Sequence, residues 1–178
     1  MKKITAFFCA AAMSSLLLAA CSKENEKSTL HLRLTDAPLS VEEVNVEILE
    51  VRVNMTGPTP SDSPEESSNG WIKMETNKGI YNLLELQNGI DTLIGSALLP
   101  TGTVHEIRFV LGSQNTIKEN GVVYPLVIPS GSSSGLKIKV DKKLKADLET
   151  LLIDFDAALS IKKEGTGDYK LRPVLKVK

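Results

Sequence analysis

The sequence predicts an all-β domain that folds as a β-sandwich, and three observations support this prediction. Apolar and polar residues alternate in short segments from Leu30 onward, as they do in strands with one buried face. Turn-forming pairs such as Asn120-Gly121 separate these segments. Convincing helical periodicity is scarce. Many short strands separated by turns are typical of two packed sheets.

The first strands show the alternation most clearly. Leucine occupies every second position from Leu30 to Leu34, so these side chains share one face of a strand. The segment 44–53 alternates in the same way, but its phase slips at Leu49, which indicates a bulge or bend. The later candidate strands span residues 71–75, 80–86, 92–99, 104–111, 116–119, 122–128, 136–140, 148–157 and 169–177.

Two segments have apolar residues at helical as well as strand spacings. For residues 41–49 we expect a strand, and residues 142–152 are open between helix and strand. Residues 56–70 are polar, contain three prolines and lack apolar periodicity, so we expect an exposed loop.

The composition restricts the class of protein. The 178 residues are 42% hydrophobic and 24% charged, with a formal net charge of -1. Together with only 12 Gly, 8 Pro and 2 Cys, these values exclude collagen-like, disordered and disulfide-scaffold classes. Nucleic acid is not an expected partner, because phosphate binding needs a clustered excess of Lys and Arg.

The N-terminus has the organisation of a signal peptide. Lys2 and Lys3 precede an uncharged, mostly apolar stretch, residues 4–20, that is shorter than the ~20 residues of a spanning helix. The stretch ends in Leu-Ala-Ala-Cys, which resembles a bacterial lipobox, in which the Cys21 thiol receives a diacylglyceryl group and its freed amine is acylated. The alternatives are an ordinary secretory signal and an uncleaved anchor.

We therefore expect three segments: a lipoprotein signal peptide (1–20), the acylated Cys21 with a polar tether (21–28), and one β-sandwich domain (29–178). The expected location is the outer membrane, with the lipid as membrane anchor. Ser22-Lys23-Glu24 resembles the charged export signal of Bacteroidota surface lipoproteins, so we expect the domain on the cell surface. Cleavage also discards Cys9, which leaves no free thiol for disulfides, zinc or nucleophilic catalysis.

Acidic residues offer the first candidate ligand contacts. Asp154 and Asp156 are two apart on a predicted strand and so share one face, where paired carboxylates could bind an ion. Ion pairs with neighbouring strands are the stronger expectation. The candidate cations at polar-phase positions are Arg108, Lys137, Lys139 and Arg172. Asp36, at the end of the first strand and before Ala37-Pro38, is expected to cap a turn instead of holding a ligand.

Trp71 is the best candidate for a glycan-stacking ring among the few aromatics, although core or rim packing is the stronger expectation. His31 and His105 lack His or Cys neighbours in the sequence, so surface positions or hydrogen-bonded core positions are expected. Residues 131–135 match G-x-S-x-G, but a strand-like segment follows and no His comes after His105. A Ser/Gly turn is therefore expected there, not a nucleophile elbow.

Six stretches together resemble a family of Bacteroidota lipoprotein domains, the domain-of-unknown-function family 4382. They are LTDAP (34–38), LLELQNG (83–89), LPTG with EIRFVLG (99–112), YPLVIPSG with SGLK (124–137), DFDAALSI (154–161) and YKLRPV (169–174). They follow the family's order and cover residues 28–178. The resemblance implies a single immunoglobulin-like or transthyretin-like sandwich on a lipoprotein and carries no known activity.

The expected function is that of a non-enzymatic lipoprotein acting as a binding, adhesion or accessory module for a surface protein or glycan. No cofactor and no metal are expected. One alternative is a pilus-like surface-fibre subunit that uses β-strand addition. A hydrolase is a weaker alternative, since the sequence has no credible nucleophile, acid pair or metal cluster.

Overall fold

A computed structural model describes residues 26–56, 70–129, 135–165 and 167–178. The predicted signal peptide, Cys21, most of the tether and residues 57–69 of the predicted loop lie outside the described residues. So does most of the Ser/Gly segment, residues 130–134.

The described part of the chain is mostly strand, with one four-residue α-helix, Ala157–Ser160, and one 3-10 helix, Leu83–Leu86. The strands are β1 (Lys27–Asp36), β2 (Glu43–Thr56), β3 (Trp71–Lys73), β4 (Glu75–Thr76), β5 (Gly79–Asn82), β6 (Thr92–Pro100), β7 (Gly102–Leu111), β8 (Thr116–Glu119), β9 (Val122–Val127), β10 (Leu136–Leu144), β11 (Leu148–Phe155), β12 (Ile161–Lys163), β13 (Tyr169–Leu171) and β14 (Leu175–Val177). None of the helices that the structure describes is long and apolar enough to span a membrane.

The strands form two sheets. The smaller sheet has the order β14-β11-β1-β6-β4, and the larger has the order β10-β7-β2-β8-β9-β13-β12, with β3 and β5 also paired to β2. Alternate residues of β1, including Leu30 and Leu32, and of β2, including Val44 and Val46, are fully buried in one apolar core. The core therefore draws on both sheets, and the predicted all-β sandwich is confirmed.

β2 is the longest strand and organises the larger sheet. Its pairing with β7 shifts register between Ile48 and Glu50, which confirms the bulge expected at Leu49. The segment 41–49, for which a strand was expected, contains the start of β2. The segment 142–152, open between helix and strand, contains the end of β10 and the start of β11.

Several predicted strand boundaries are wrong. Residues 71–75 do not form one strand, because they divide into β3 of the larger sheet and β4 of the smaller sheet. Residues 169–177 do not form one strand, because β13 pairs with β9 and β12, whereas β14 pairs with β11 of the other sheet. Pro173 lies between β13 and β14 and has no N–H to offer a ladder. The strand predicted for 80–86 ends at Asn82, whose side chain caps the 3-10 helix, and that for 148–157 ends at Phe155.

Candidate functional site

The outer face of the larger sheet has a line of cations. Register places Lys137 of β10 opposite Arg108 of β7, Arg108 opposite Arg52 of β2, and Arg52 opposite Lys73 of β3. The neighbours of these residues along each strand, such as Val51 and Val53 around Arg52, point into the core. Directly opposite residues bring their Cβ atoms within ~5.5 Å. We call these four side chains the cationic row.

One half of the cationic row is neutralised by an acid. Glu50 accepts a hydrogen bond from Arg52 Nε, and Lys73 Nζ lies 3.0 Å from Glu50 Oε2. Burial alone would raise the pKa of Glu50, but the hydrogen bonds from Arg52 and Lys73 outweigh it and lower this pKa below its usual value. The Arg52–Lys73 half therefore has a fixed counter-charge.

The other half is stacked on an aromatic ring instead. The guanidinium carbon of Arg108 lies 4.1 Å from the centroid of the Trp71 ring, and Lys137 Nζ lies 5.7 Å from it. Both distances are within the range of cation–π attraction. Within the described ranges no carboxylate pairs with either cation, and the buried Arg108 Nε has no acceptor.

Close backbone packing fixes the Arg108 side chain. Gly135 has φ +81, and a Cβ atom at this position would lie 2.7 Å from Arg108 Cγ. Only glycine fits without displacing the arginine stem. Trp71 itself is half-buried on the sheet surface, and Arg108 and Lys137 both lie over its ring.

A hydrogen-bonded relay crosses β2, β7 and β10, which are three of the four strands that carry the cationic row. His105 Nδ1 lies 2.9 Å from Asp141 Oδ1, and His105 Nε2 lies 3.0 Å from Thr56 Oγ1. Asp141 has φ 46 and sits where the pairing of β10 with β7 is irregular. His105 is therefore not isolated, although its partners come from strands remote in sequence. Hydroxyl, imidazole and carboxylate are the groups of a nucleophilic triad, in the same order.

Asp36 is the last residue of β1, in the smaller sheet, and is buried. Its carboxylate accepts a hydrogen bond from the N–H of Ala157 at 2.9 Å, a contact between residues 121 apart in sequence, and another from Gln87 Nε2 at 3.2 Å. Burial raises the pKa of Asp36 above its usual value, against the lowering effect of these hydrogen bonds. A cap on the local turn before Pro38 was expected, whereas these two hydrogen bonds come from residues 51 and 121 positions away in the sequence.

Asp154 and Asp156 are both buried and both paired with cations. Lys178 Nζ lies 3.2 Å from Asp154 Oδ2, and Lys176 Nζ lies 3.1 Å from Asp156 Oδ2. Asp156 also accepts a hydrogen bond from the N–H of Leu159 and so caps the helix Ala157–Ser160. Ion pairing was expected, but the partners differ from those predicted.

The cations proposed for those carboxylates lie elsewhere. Arg108, Lys137 and Lys139 belong to β7 and β10 of the larger sheet, whereas Asp154 belongs to β11 of the smaller sheet. Arg172 lies 4.0 Å from Glu164 instead. Among the residues that the structure places, no group of three or more His, Cys, Asp or Glu side chains could hold a metal ion.

An open groove of about 440 Å³ borders the cationic row. It is lined by Thr29, Ile72, Lys73, Glu75, Ser96, Ala97 and Leu98. Lys73 belongs both to the groove and to the row. A ligand larger than one anionic group could therefore contact both features.

Comparison with known proteins adds a family but no close relative. A family model described as "Domain of unknown function (DUF4382)" matches residues 27–173. No curated protein and no solved structure matches the chain.

Proposed function

The chain belongs to the family of domains of unknown function DUF4382. Because this family name states no function, we propose one from the side chains on the surface of the domain. It is a non-enzymatic binding module of an outer-membrane lipoprotein, and it holds an anionic group of its partner between Arg108 and Lys137. The observation that carries this proposal is the half of the cationic row that has no fixed counter-charge.

Electrostatics supports a ligand at this point. Like charges directly opposite on neighbouring strands destabilise a sheet, so Lys137 and Arg108 cost folding free energy in the absence of an anion. The planar guanidinium matches the geometry of carboxylate, phosphate and sulfate groups, and stacking on Trp71 orients it before binding. A glycan or surface protein carrying such groups is the proposed partner.

Binding of defined anionic polymers tests the proposal. Dextran sulfate and polygalacturonate should bind, neutral dextran should not, and affinity should fall as salt screens the charges. The double variant Arg108→Gln/Lys137→Gln should bind at least tenfold more weakly. Lys78→Gln, which removes a charge outside the row, should bind like the wild type. Equal affinity of the double variant and the wild type would refute the site.

The membrane anchor is part of the same proposal. The basic start, the uncharged stretch 4–20 and Leu-Ala-Ala before Cys21 all support lipidation at Cys21. Labelled palmitate should enter the wild type, and Cys21→Ser should remain an unlabelled precursor. A Glu-specific protease added to intact cells should release the domain at Glu24 or Glu26 if it faces outward. Release only after lysis would place it inside the envelope.

The relay of Thr56, His105 and Asp141 favours hydrolysis as a second candidate function. In that case Thr56 Oγ1 attacks an ester carbonyl and passes its proton to His105, whose ring Asp141 orients. The adduct expels the alcohol, which takes that proton, and water then hydrolyses the acyl-threonine with His105 as base. Both hydrogen bonds of the relay are exposed to solvent. Because such catalysis is strongest where water is excluded, we rank hydrolysis below binding. Turnover of a p-nitrophenyl ester that disappears in both Thr56→Ala and His105→Ala would favour the hydrolase.

Strand addition is a third candidate. β10 is the outermost strand of the larger sheet beside β7. Its exposed lysines are of the kind that discourages pairing with another chain, which argues against a fibre contact along β10. Monomers in native gels of the purified protein would support this view, and ladders would favour the fibre subunit.

A further inference from the structure

We propose that the outer face of the smaller sheet, around Leu98 and Leu148, lies against the surface of the bilayer to which the chain is anchored. This inference rests on the proposed lipid anchor at Cys21. Leu98 and Leu148 are 60% and 55% exposed, the highest values for any leucine in the described ranges. Side chains of this kind are costly to leave in water.

The two leucines form one patch. Thr29 of β1 lies opposite Leu98 of β6 on one side and opposite Leu148 of β11 on the other. With strands spaced ~4.8 Å apart, the two leucines are about 10 Å from one another on a common face. That face is the outer one, because Ser28 and Leu30, on either side of Thr29, are buried. We call Leu98, Thr29 and Leu148 the leucine patch.

The length of the tether places the patch near the lipid. β1 begins at Lys27, six residues after Cys21, so the start of β1 lies at most ~20 Å from the acylated residue. Thr29 is only two residues further along. The exposed Ile90 is at the opposite end of the sheet, where its carbonyl accepts a hydrogen bond from Thr35. β1 covers ~20 Å between Thr29 and Thr35, so the tether holds the leucine patch closer to the bilayer than Ile90.

Apolar side chains on peripheral elements enter the boundary between headgroups and acyl chains to a depth of ~5–10 Å. The leucine patch can do so without rearrangement, since it belongs to a paired sheet. The cationic row lies on the outer face of the other sheet. Lys73 of the row lines the same groove as Thr29 and Leu98, so the Lys73 end of the row lies beside the leucine patch.

An environment-sensitive fluorophore on a single introduced thiol tests the docking. The mature lipidated chain has no free thiol, so Leu98→Cys and Leu148→Cys can each be labelled alone. The full chain is produced with its signal peptide, labelled with a nitrobenzoxadiazole dye and reconstituted into vesicles of phosphatidylethanolamine and phosphatidylglycerol. Val123→Cys on β9 is the matched control, because Val123 is 59% exposed but belongs to the other sheet.

We expect the emission at positions 98 and 148 to shift to the blue in vesicles and to be largely quenched by spin-labelled lipid. The emission at position 123 should not change. Solution-like emission at positions 98 and 148, with the wild type unlabelled by the dye, would overturn the docking alone. Labelling of the wild type at Cys21, located by mass spectrometry of the dye-bearing peptide, would overturn the anchor together with this inference.

Discussion

Lys137 and Arg108 occupy directly opposite positions on β10 and β7, although both side chains are cationic. Their ammonium and guanidinium groups share the ring of Trp71 instead of a carboxylate. Such a pair is less stable than a pair of opposite charges. The sheet therefore keeps, at a cost in stability, a charge arrangement that suits an anionic ligand.

Replacing Lys137 by Glu should stabilise the domain and abolish anion binding together. The new carboxylate would face Arg108, and the unfolding free energy should rise by about 0.2–1 kcal/mol. Urea unfolding and dextran sulfate binding measure the two effects. Lys78→Glu is the charge-matched control and should change neither by a comparable amount. Destabilisation by Lys137→Glu would show that the opposed cations are not a source of repulsion.

The buried carboxyl of Asp36 should make stability depend on pH in the acidic range. Burial raises its pKa in the folded state, so folding is favoured by protonation. This contribution is fully present below the unfolded-state pKa of about 4 and is lost as the pH rises through the higher folded-state pKa. Asp36→Asn removes this titration. The unfolding free energy of the wild type minus that of the variant should therefore fall as the pH rises above 4, by at most ~1.4 kcal/mol per pH unit. A difference that stays constant with pH would contradict the assignment.

Removing Lys176 of β14 and the adjacent Lys178 should destabilise the domain, because each lysine pairs with a buried carboxylate. The side chains of Asp154 and Asp156 are only 9% and 10% exposed and rely on Lys178 and Lys176. The double variant Lys176→Met/Lys178→Met should lower the unfolding free energy by about 1–3 kcal/mol, because it leaves buried acceptors with a lost partner.

Arg172→Met is the matched control for that change, since Arg172 and Glu164 are both largely exposed and 4.0 Å apart. It should cost no more than a few tenths of a kcal/mol. Equal losses in the double variant and the control would mean that water solvates Asp154 and Asp156 adequately.

Asn115 should be a stability determinant despite its polar side chain. It is buried, its Oδ1 accepts a hydrogen bond from the N–H of Glu47, and its Nδ2 donates to the carbonyl of Gly112. Asn115→Ala should lower the unfolding free energy by about 1–3 kcal/mol, because two partly buried backbone groups lose their partners. The exposed Asn77, which bonds the carbonyl of Leu93, offers a control that should lose less. Thermal or urea unfolding distinguishes the two variants.

Local signals predicted the strands well and their pairing poorly. The phase slip at Leu49 is a property of neighbouring residues, so it indicated the bulge that the register of β2 contains. Residues 169–177 also alternate, yet the chain turns from one sheet to the other around Pro173, and alternation does not indicate which sheet a strand joins. Sheet membership depends on contacts between residues far apart in sequence.

The candidate site could not be predicted from the sequence, because it also depends on contacts between residues that are far apart in sequence. Trp71 and the polar phase of Arg108 and Lys137 could be recognised individually. Their meeting depends on the register of β10, β7, β2 and β3, which no local pattern encodes. The partners of Asp154 and Asp156 came from the last residues of the chain, because β14 is the strand that borders β11.

The parallel pairing of β1 with β11 also determines when this chain can finish folding. Ser28 and Asp147, which hydrogen-bond beside the first residues of that pair, are 119 residues apart. Closing so long a loop is entropically costly, and non-local pairing of this kind slows folding. During synthesis β1 is made early, but its parallel partner β11 follows more than 100 residues later. β1 can pair with β6 before that point, but the smaller sheet cannot be completed until β11 has been made.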